Sequence, residues 1–272
     1  MTRLEAIEAF ARLRPVVVLA TCLAVLDSAG EDAYGQAGVE SGDGLLAEAL
    51  RDRDVETHLG AWDDPTIEWD EIAACVLRST WDYPERLDEF TRWVDAVSKK
   101  TVLLNDADLV RWNIHKRYLI ELERAGIPVV PTVHIERGGA LDLSRLQRRL
   151  GSDDLVIKPA VGVGSFGVTR VSPDDPDSVA VAGQLVEKGD VIVQPYVPSI
   201  ESEGETSTVV IAGAISHAVV KTPAPGDYRV QPHHGGRSDP RAVDGDLRDL
   251  WDREMRVFPG KPMYGRIDTV HI

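Results

Sequence analysis

The segment from Asp154 to Val171, DLVIKPAVGVGSFGVTRV, holds the residues best suited to chemistry. Gly162, Gly164 and Gly167 alternate with small or apolar residues between two short apolar runs, Leu155-Val156-Ile157 and Val168 to Val171. Without Cβ atoms such a hairpin can lie flat on a ligand, and its exposed amides suit an anion. Lys158, at the end of the first run, can put a point charge on a phosphate, and Ser165 at the tip adds a rotatable hydroxyl donor. No Gly-Lys-Ser/Thr follows the glycines, so this is not a Walker loop. A strand rather than a helix comes next, so it is not the dinucleotide fingerprint either. The remaining readings are a lid over a nucleoside triphosphate and a plain flexible hairpin.

A second group of polar side chains lies in RSTWDY, Arg78 to Tyr83. Arg78 and Asp82 can bind the carboxylate and the amine of a small amphoteric substrate, with Ser79 and Tyr83 beside them. The other reading is a plain arginine–aspartate pair with Trp81 packed beneath it. Lys116 stands in WNIHKRYLIEL; alone, a helical lysine is usually solvated and carries little weight. His233-His234 has no third ligand nearby and reads as exposed loop.

These residues need elements to hold them. Val16 to Ala20, Val55 to Leu59, Ile72 to Leu77 and Val102 to Leu104 read as strands. Helical spacing falls between them, at Leu45 to Leu50 and at Phe90 to Val97. This alternation predicts a parallel α/β domain over residues 1–104, with residues 1–14 a short helix or loose extension. Ligands of such a sheet lie beyond the carboxyl ends of its strands, which puts the loop Asp27 to Asp43 and RSTWDY at the ligand edge.

Asn105 and Asp106 are placed to cap a helix from Ala107 to Ala125, which Gly126 ends. The pattern then predicts strands at 129–135, 191–194, 206–212, 214–221 and 263–272, and helices at 141–150, 179–188 and 247–257. A loop spans Thr222 to Pro240. Pro195-Tyr196-Val197-Pro198 reads as a stiff crossing between subdomains 105–194 and 195–272.

The formal charge of −15 over 272 residues argues against nucleic acid or an anionic membrane as partner. Hydrophobic content of 43% with 28% charged residues is that of a globular protein. Val16 to Leu26 is too short to span a bilayer, and Glu5 and Glu8 before it do not suit a signal peptide. Cys22 and Cys75 read as buried thiols in a reducing compartment, which predicts a cytoplasmic protein.

Taken together, from Leu104 onward the pieces resemble the ATP-grasp ligases, with a nucleotide site similar to that of D-alanine–D-alanine ligase. With RSTWDY, RWNIHKRYL, HAVVKTPAPGDYRVQ and HGG included, the whole chain resembles the cycloserine-synthetase-type ATP-grasp proteins; glutathione synthetase is more distant. The resemblance implies an N-terminal parallel-sheet domain followed by a two-subdomain ATP-grasp fold, with ATP and Mg2+ as cofactors. It implies carboxylate–amine ligation through an acyl phosphate, as in antibiotic biosynthesis. The partners are a small amino-acid-like substrate and, in a homodimer, a second copy of the chain.

The same resemblance assigns the site residue by residue. Lys116 and Lys158 match phosphate-contacting lysines; Gly164, Ser165 and Gly167 match the loop that closes over the triphosphate. Gln194, Tyr196 and Val197 match the hinge that meets adenine through main-chain groups, and Glu205 the acid that accepts from the ribose hydroxyls. Lys221 matches a lysine near the transferred phosphate, and Arg229 a loop arginine near the acyl phosphate and the substrate. Arg266 matches the arginine at the reacting centre and Asp268 a magnesium ligand. In the family, further carboxylate ligands follow on the next strand. The sequence here ends at Ile272, four residues after Asp268, so the resemblance implies a truncated chain, a substitute ligand elsewhere, or weak activity.

Overall fold

A computed structural model describes residues 15–27, 42–172, 174–231 and 234–272. The chain divides into two compact units between Ala107 and Asp108.

In the first unit, Val16–Thr21 (β1) is followed by a short helix, Leu23–Asp27 (α1), then Asp43–Arg51 (α2) and Glu56–Ala61 (β2). Ala74–Leu77 (β3), Leu87–Val97 (α3) and Val102–Leu104 (β4) complete it. The strands form a parallel sheet in the order β2-β1-β3-β4. Val18 to Ala20 and Cys75 are almost wholly buried, as strands covered on both faces must be. An aromatic cluster packs here: the Trp62 ring lies 5.3 Å from Phe90 and 5.7 Å from Trp93. The parallel domain expected of the sequence is present; the reading of residues 1–14 and most of the loop after Asp27 fall outside the described residues.

The second unit opens with Ala107–Ile114 (α4), which begins at the boundary, and Tyr118–Arg124 (α5). There follow Val133–Ile135 (β5), Leu143–Leu150 (α6), Leu155–Pro159 (β6), Thr169–Val171 (β7), Pro176–Lys188 (α7) and Val191–Pro195 (β8). Beyond the short turn Ser199–Ser202 (α8) come Glu205–Ile211 (β9), Ala214–Thr222 (β10), Arg237–Arg241 (β11), Gly245–Glu254 (α9) and Tyr264–Thr269 (β12). One antiparallel sheet runs β5-β8-β6-β7 and the other β11-β10-β9-β12. Helices α6 and α7 cover the first sheet with Leu143, Leu146, Ala182 and Val186, packed on Leu155, Ile157, Val171, Val191 and Val193. Asp142 and Asp175 cap these helices with their side chains, each accepting an early backbone N–H.

Three sequence expectations are corrected. The single helix over 107–125 is broken at His115-Lys116-Arg117, because the Lys116 amide leaves the helix ladder for the Ala160 carbonyl at 2.8 Å. The strand expected over 129–135 shrinks to its last three residues, since Pro131 cannot donate to a ladder. The loop 222–240 hides β11, an edge strand that tolerates Pro240 against Val219.

Candidate nucleotide and substrate site

The glycine hairpin forms as read: β6 and β7 pair antiparallel, Leu155 with Val171 and Ile157 with Thr169. Its turn residues Gly164, Ser165 and Gly167 all have positive φ, at 61°, 64° and 68°. At Gly167 the need for glycine is twofold, since a Cβ there would also sit 2.9 Å from the Pro159 ring. Phe166 stands 58% exposed at the tip.

Lys116 and Lys158 come together beneath this hairpin. Lys116 Nζ donates to the Gly162 carbonyl at 2.8 Å, tying the loop down. Burial, reinforced by the Lys158 charge, lowers Lys116 to about 8. Lys158 is also held below its ordinary value by burial, with Glu205 opposing. Two mutually repelling ammonium groups in a partly dry setting are an anion cradle.

The second sheet supplies the facing wall. Lys221 Nζ lies 3.5 Å from Glu205 Oε1. Burial and then the Asp268 charge raise the Glu205 carboxyl. Arg266 grips Asp268 with Nε–Oδ1 at 2.6 Å and Nη2–Oδ2 at 2.8 Å, and Ser207 Oγ donates to Oδ1 at 2.5 Å. Desolvation disfavours the charged Asp268, but Arg266, Lys221 and Ser207 outweigh it and lower its pKa. The register explains the grouping: Glu205 faces Lys221 across β9–β10, and Asp268 faces Ser207 across β9–β12. The Arg266 side chain is 53% exposed, so it lines an open wall. Desolvation there disfavours its charge, but Asp268 and Glu205 raise its pKa overall.

Two hinge positions are engaged within the protein. The Tyr196 amide donates to the Asp154 carbonyl at 2.9 Å. Gln194 is buried in the ladder opposite Val156, and its side chain donates to Thr132 Oγ1 at 2.8 Å, so it forms the wall behind the hinge. Arg170 covers the Tyr196 ring at 3.9 Å. Tyr228 reaches from the 222–236 loop to the Val168 carbonyl at 3.4 Å, and its ring lies 6.0 Å from Tyr196. Beside it Arg229 forms a two-pronged pair with Asp227, at 3.0 and 2.8 Å.

In the first unit, the pairing of Arg78 with Asp82 is corrected. Arg78 Nε donates to Asp43 Oδ1 at 2.8 Å, and Ser79 Oγ to Asp43 Oδ2 at 2.6 Å. Asp82 instead accepts from the Trp62 indole at 2.8 Å and from Arg86 at 3.1 Å. Tyr83 packs on Phe90 at 5.3 Å. The buried Trp81 indole N–H has no partner among the described residues.

Sequence reasoning missed Asp43, whose role depends on a contact spanning 35 positions. It also missed Tyr118, which burial, Asp268 and Glu254 together raise to about 12; its place two residues after Lys116 was the available signal. A third omission is the cluster of His115, His134 and Asp190, whose ligand atoms all lie within 4.8 Å of one another. Of the His233-His234 pair, His233 lies outside the described residues.

The residues present fit both expected cofactors. The lysine pair suits a triphosphate, and the Asp268 carboxylate, held charged by Arg266 and Lys221, is a hard oxygen donor of the kind a divalent cation takes. The chain has the fold of the ATP-grasp proteins. Residues 17–105 match the family described as D-cycloserine synthetase DcsG, N-terminal domain, and residues 130–253 the prokaryotic glutathione synthetase ATP-grasp domain. The chain resembles the cycloserine-synthetase type. It is 38% identical to the cycloserine biosynthesis protein DcsG of Streptomyces lavendulae over 181 residues, 65% of this chain and 60% of that protein. With glutathione synthetase of Agrobacterium fabrum it shares 26% identity over 60% of this chain, spanning about half of that relative (49%). The crystal structure of D-cycloserine synthetase DcsG superposes with a TM-score of 0.75 at 29% identity, covering 94% of this chain and 86% of that one. D-alanine–D-alanine ligase from Bacillus anthracis complexed with ATP shares the fold, with a TM-score of 0.63 at 16% identity over 94% and 81% of the two chains.

Proposed function

We propose that the chain is an ATP-dependent carboxylate–amine ligase for a small amino-acid-like substrate. A carboxylate attacks the γ-phosphorus, giving an acyl phosphate and ADP; the amine then displaces phosphate, forming the C–N bond. The observation that carries this reading is the convergence of Lys116 and Lys158 under the glycine hairpin, facing Glu205, Lys221, Arg266 and Asp268.

The chemistry explains the set. Phosphoryl transfer is catalysed mainly by positioning and by neutralising oxygen charge. Lys116, Lys158 and the hairpin amides would hold the phosphates, with Ser165 donating at the loop tip. Tyr196 and Val197 would meet adenine, and Glu205 the ribose. Lys221 would reach the transferred phosphoryl group. Asp268 would hold magnesium, which would draw charge off the phosphate oxygens. Arg266, open to the cleft, would donate to the oxygen where charge develops, a contribution of roughly 3–4 kcal/mol for such a donor. Arg229 would leave Asp227 for the acyl phosphate, and Arg78, Ser79, Asp82 and Tyr83 would bind the substrate end. Residues 105–194 and 195–272 would be the two enclosing subdomains. The two buried thiols, Cys75 raised to about 12 by burial and so unreactive, support a reducing, cytoplasmic setting. Among the described residues no helix is long and apolar enough to cross a membrane.

The likeness to a cycloserine biosynthesis protein favours a second form of the reaction, in which amine and carboxylate belong to one molecule and a ring closes. ADP release measured with magnesium, first with single amino acids and analogues and then with pairs, separates the two. Turnover on one compound supports ring closure; an absolute need for two different compounds rejects it. ATP binding without ADP release on any of them would leave a nucleotide sensor and overturn the ligase reading.

A further inference from the structure

The break between α4 and α5 carries a closed ring of hydrogen bonds outside the site described above. The Lys116 amide donates to the Ala160 carbonyl at 2.8 Å, and the Ala160 amide donates to the Asp190 carbonyl, also at 2.8 Å. The Asp190 carboxylate turns back to close the ring. Its Oδ2 lies 3.4 Å from His115 Nε2 and 2.9 Å from His134 Nε2, and its Oδ1 accepts from the Arg137 amide at 3.0 Å. His115 immediately precedes Lys116, and Ala160, fully buried, stands two residues after Lys158. One residue thus ties both lysine-bearing segments to the start of β8, the Lys116 segment through its carboxylate on His115 and the Lys158 segment through its main-chain carbonyl on Ala160.

We infer that Asp190 is a positioning residue: through His115 and Ala160 it fixes the backbone that aims Lys116 and Lys158 at the nucleotide phosphates. The functional consequence rests on the nucleotide reading above. The same three side chains also have the composition of a metal site, but one contact argues against it. The Arg117 amide points at His115 Nδ1, 3.1 Å away, which makes Nδ1 an acceptor and puts the proton on Nε2, facing Asp190. A metal-binding imidazole needs the reverse, a bare Nε2 and a spare nitrogen that donates. The ladder of β6 holds Lys158, whereas among the described residues the Lys116 Nζ donates to the loop carbonyl of Gly162, so the ring is what seats the Lys116 backbone beside it.

The test compares the wild type with Asp190→Asn, whose single side-chain oxygen cannot accept from the imidazoles on one side and from the Arg137 amide on the other. A control variant, Leu146→Ala, lowers stability in the same sheet layer without touching the ring. Hydrogen exchange at the Lys116 and Ala160 amides reports on the ring itself, and ATP binding by calorimetry reports its consequence. Asp190→Asn should lose protection at both amides and bind ATP about 10-fold more weakly. Leu146→Ala, compared at matched stability, should keep both properties. Unchanged protection and unchanged affinity in Asp190→Asn would overturn the inference. So would stoichiometric binding of Co2+ by the wild type, with a visible spectrum that Asp190→Asn abolishes, because the cluster would then be a metal site. If the wild type binds no ATP the nucleotide reading falls, and the exchange measurement still decides the ring.

Discussion

Lys116 loses charge as pH rises through about 8, because burial and the neighbouring Lys158 both disfavour its ammonium form. An unfolded lysine titrates near 10.4, so this group costs stability at neutral pH, and the cost fades as pH rises from about 8 toward about 10.4. A bound triphosphate reverses the preference by stabilising the ammonium form. ATP affinity should therefore fall as pH rises from 7 to 9, by up to about 10-fold. Calorimetric titration at the two pH values checks this, and Lys116→Arg should flatten the dependence. Lys158→Ala should weaken ATP binding far more than Lys99→Ala, which alters an exposed residue of the first unit; equal effects would make the hairpin structural. Lys158 was legible because it sits in a short, local motif, whereas Lys116 and Lys221 were reached only through the family resemblance. The partners of the arginines were not legible. The partner of Arg78 proved to be Asp43, and Arg229 took Asp227, because ion-pair choice depends on contacts the chain makes only once folded.

The strand–loop–strand of the glycine hairpin could be read from the sequence, since β-branched runs flank the glycines and the turn needs positive φ. Its two central glycines differ in what they tolerate. Gly167→Ala meets Pro159 at 2.9 Å and Leu185 at 3.2 Å, besides the strain of φ +68°. It should cost about 2–3 kcal/mol, measured by urea unfolding. Gly164→Ala has only Phe166 within reach, at 3.9 Å, and should cost about 1 kcal/mol. Equal losses at the two positions would show that backbone strain alone decides. The helix over 107–125 was read as continuous because its apolar spacing is continuous. What breaks it is tertiary, the Ala160 carbonyl taking the Lys116 amide. Strand β11 escaped notice because Pro240 and the flanking glycines carry loop composition, and its pairing with β10 overrides that preference.

At the scale of the whole chain, alternating strands and helices up to Leu104 followed by paired strands gave the class correctly, because parallel and antiparallel sheets leave different apolar patterns. The order of lysine, glycine hairpin, hinge, acid and Arg-x-Asp strand carried the rest. That order puts Lys158 on one sheet with Lys116 at the helix break beside it, and the ion-pair network of Glu205, Lys221, Arg266 and Asp268 on the other. Whether the cleft activates a carboxylate with ATP is decided by hydroxylamine trapping. With magnesium, ATP and the substrate that supports ADP release, hydroxylamine should intercept the acyl phosphate. A hydroxamate should then accumulate one for one with ADP, and Arg266→Ala should abolish both. ADP release without any hydroxamate, or hydroxamate formed equally well without ATP, would contradict the account.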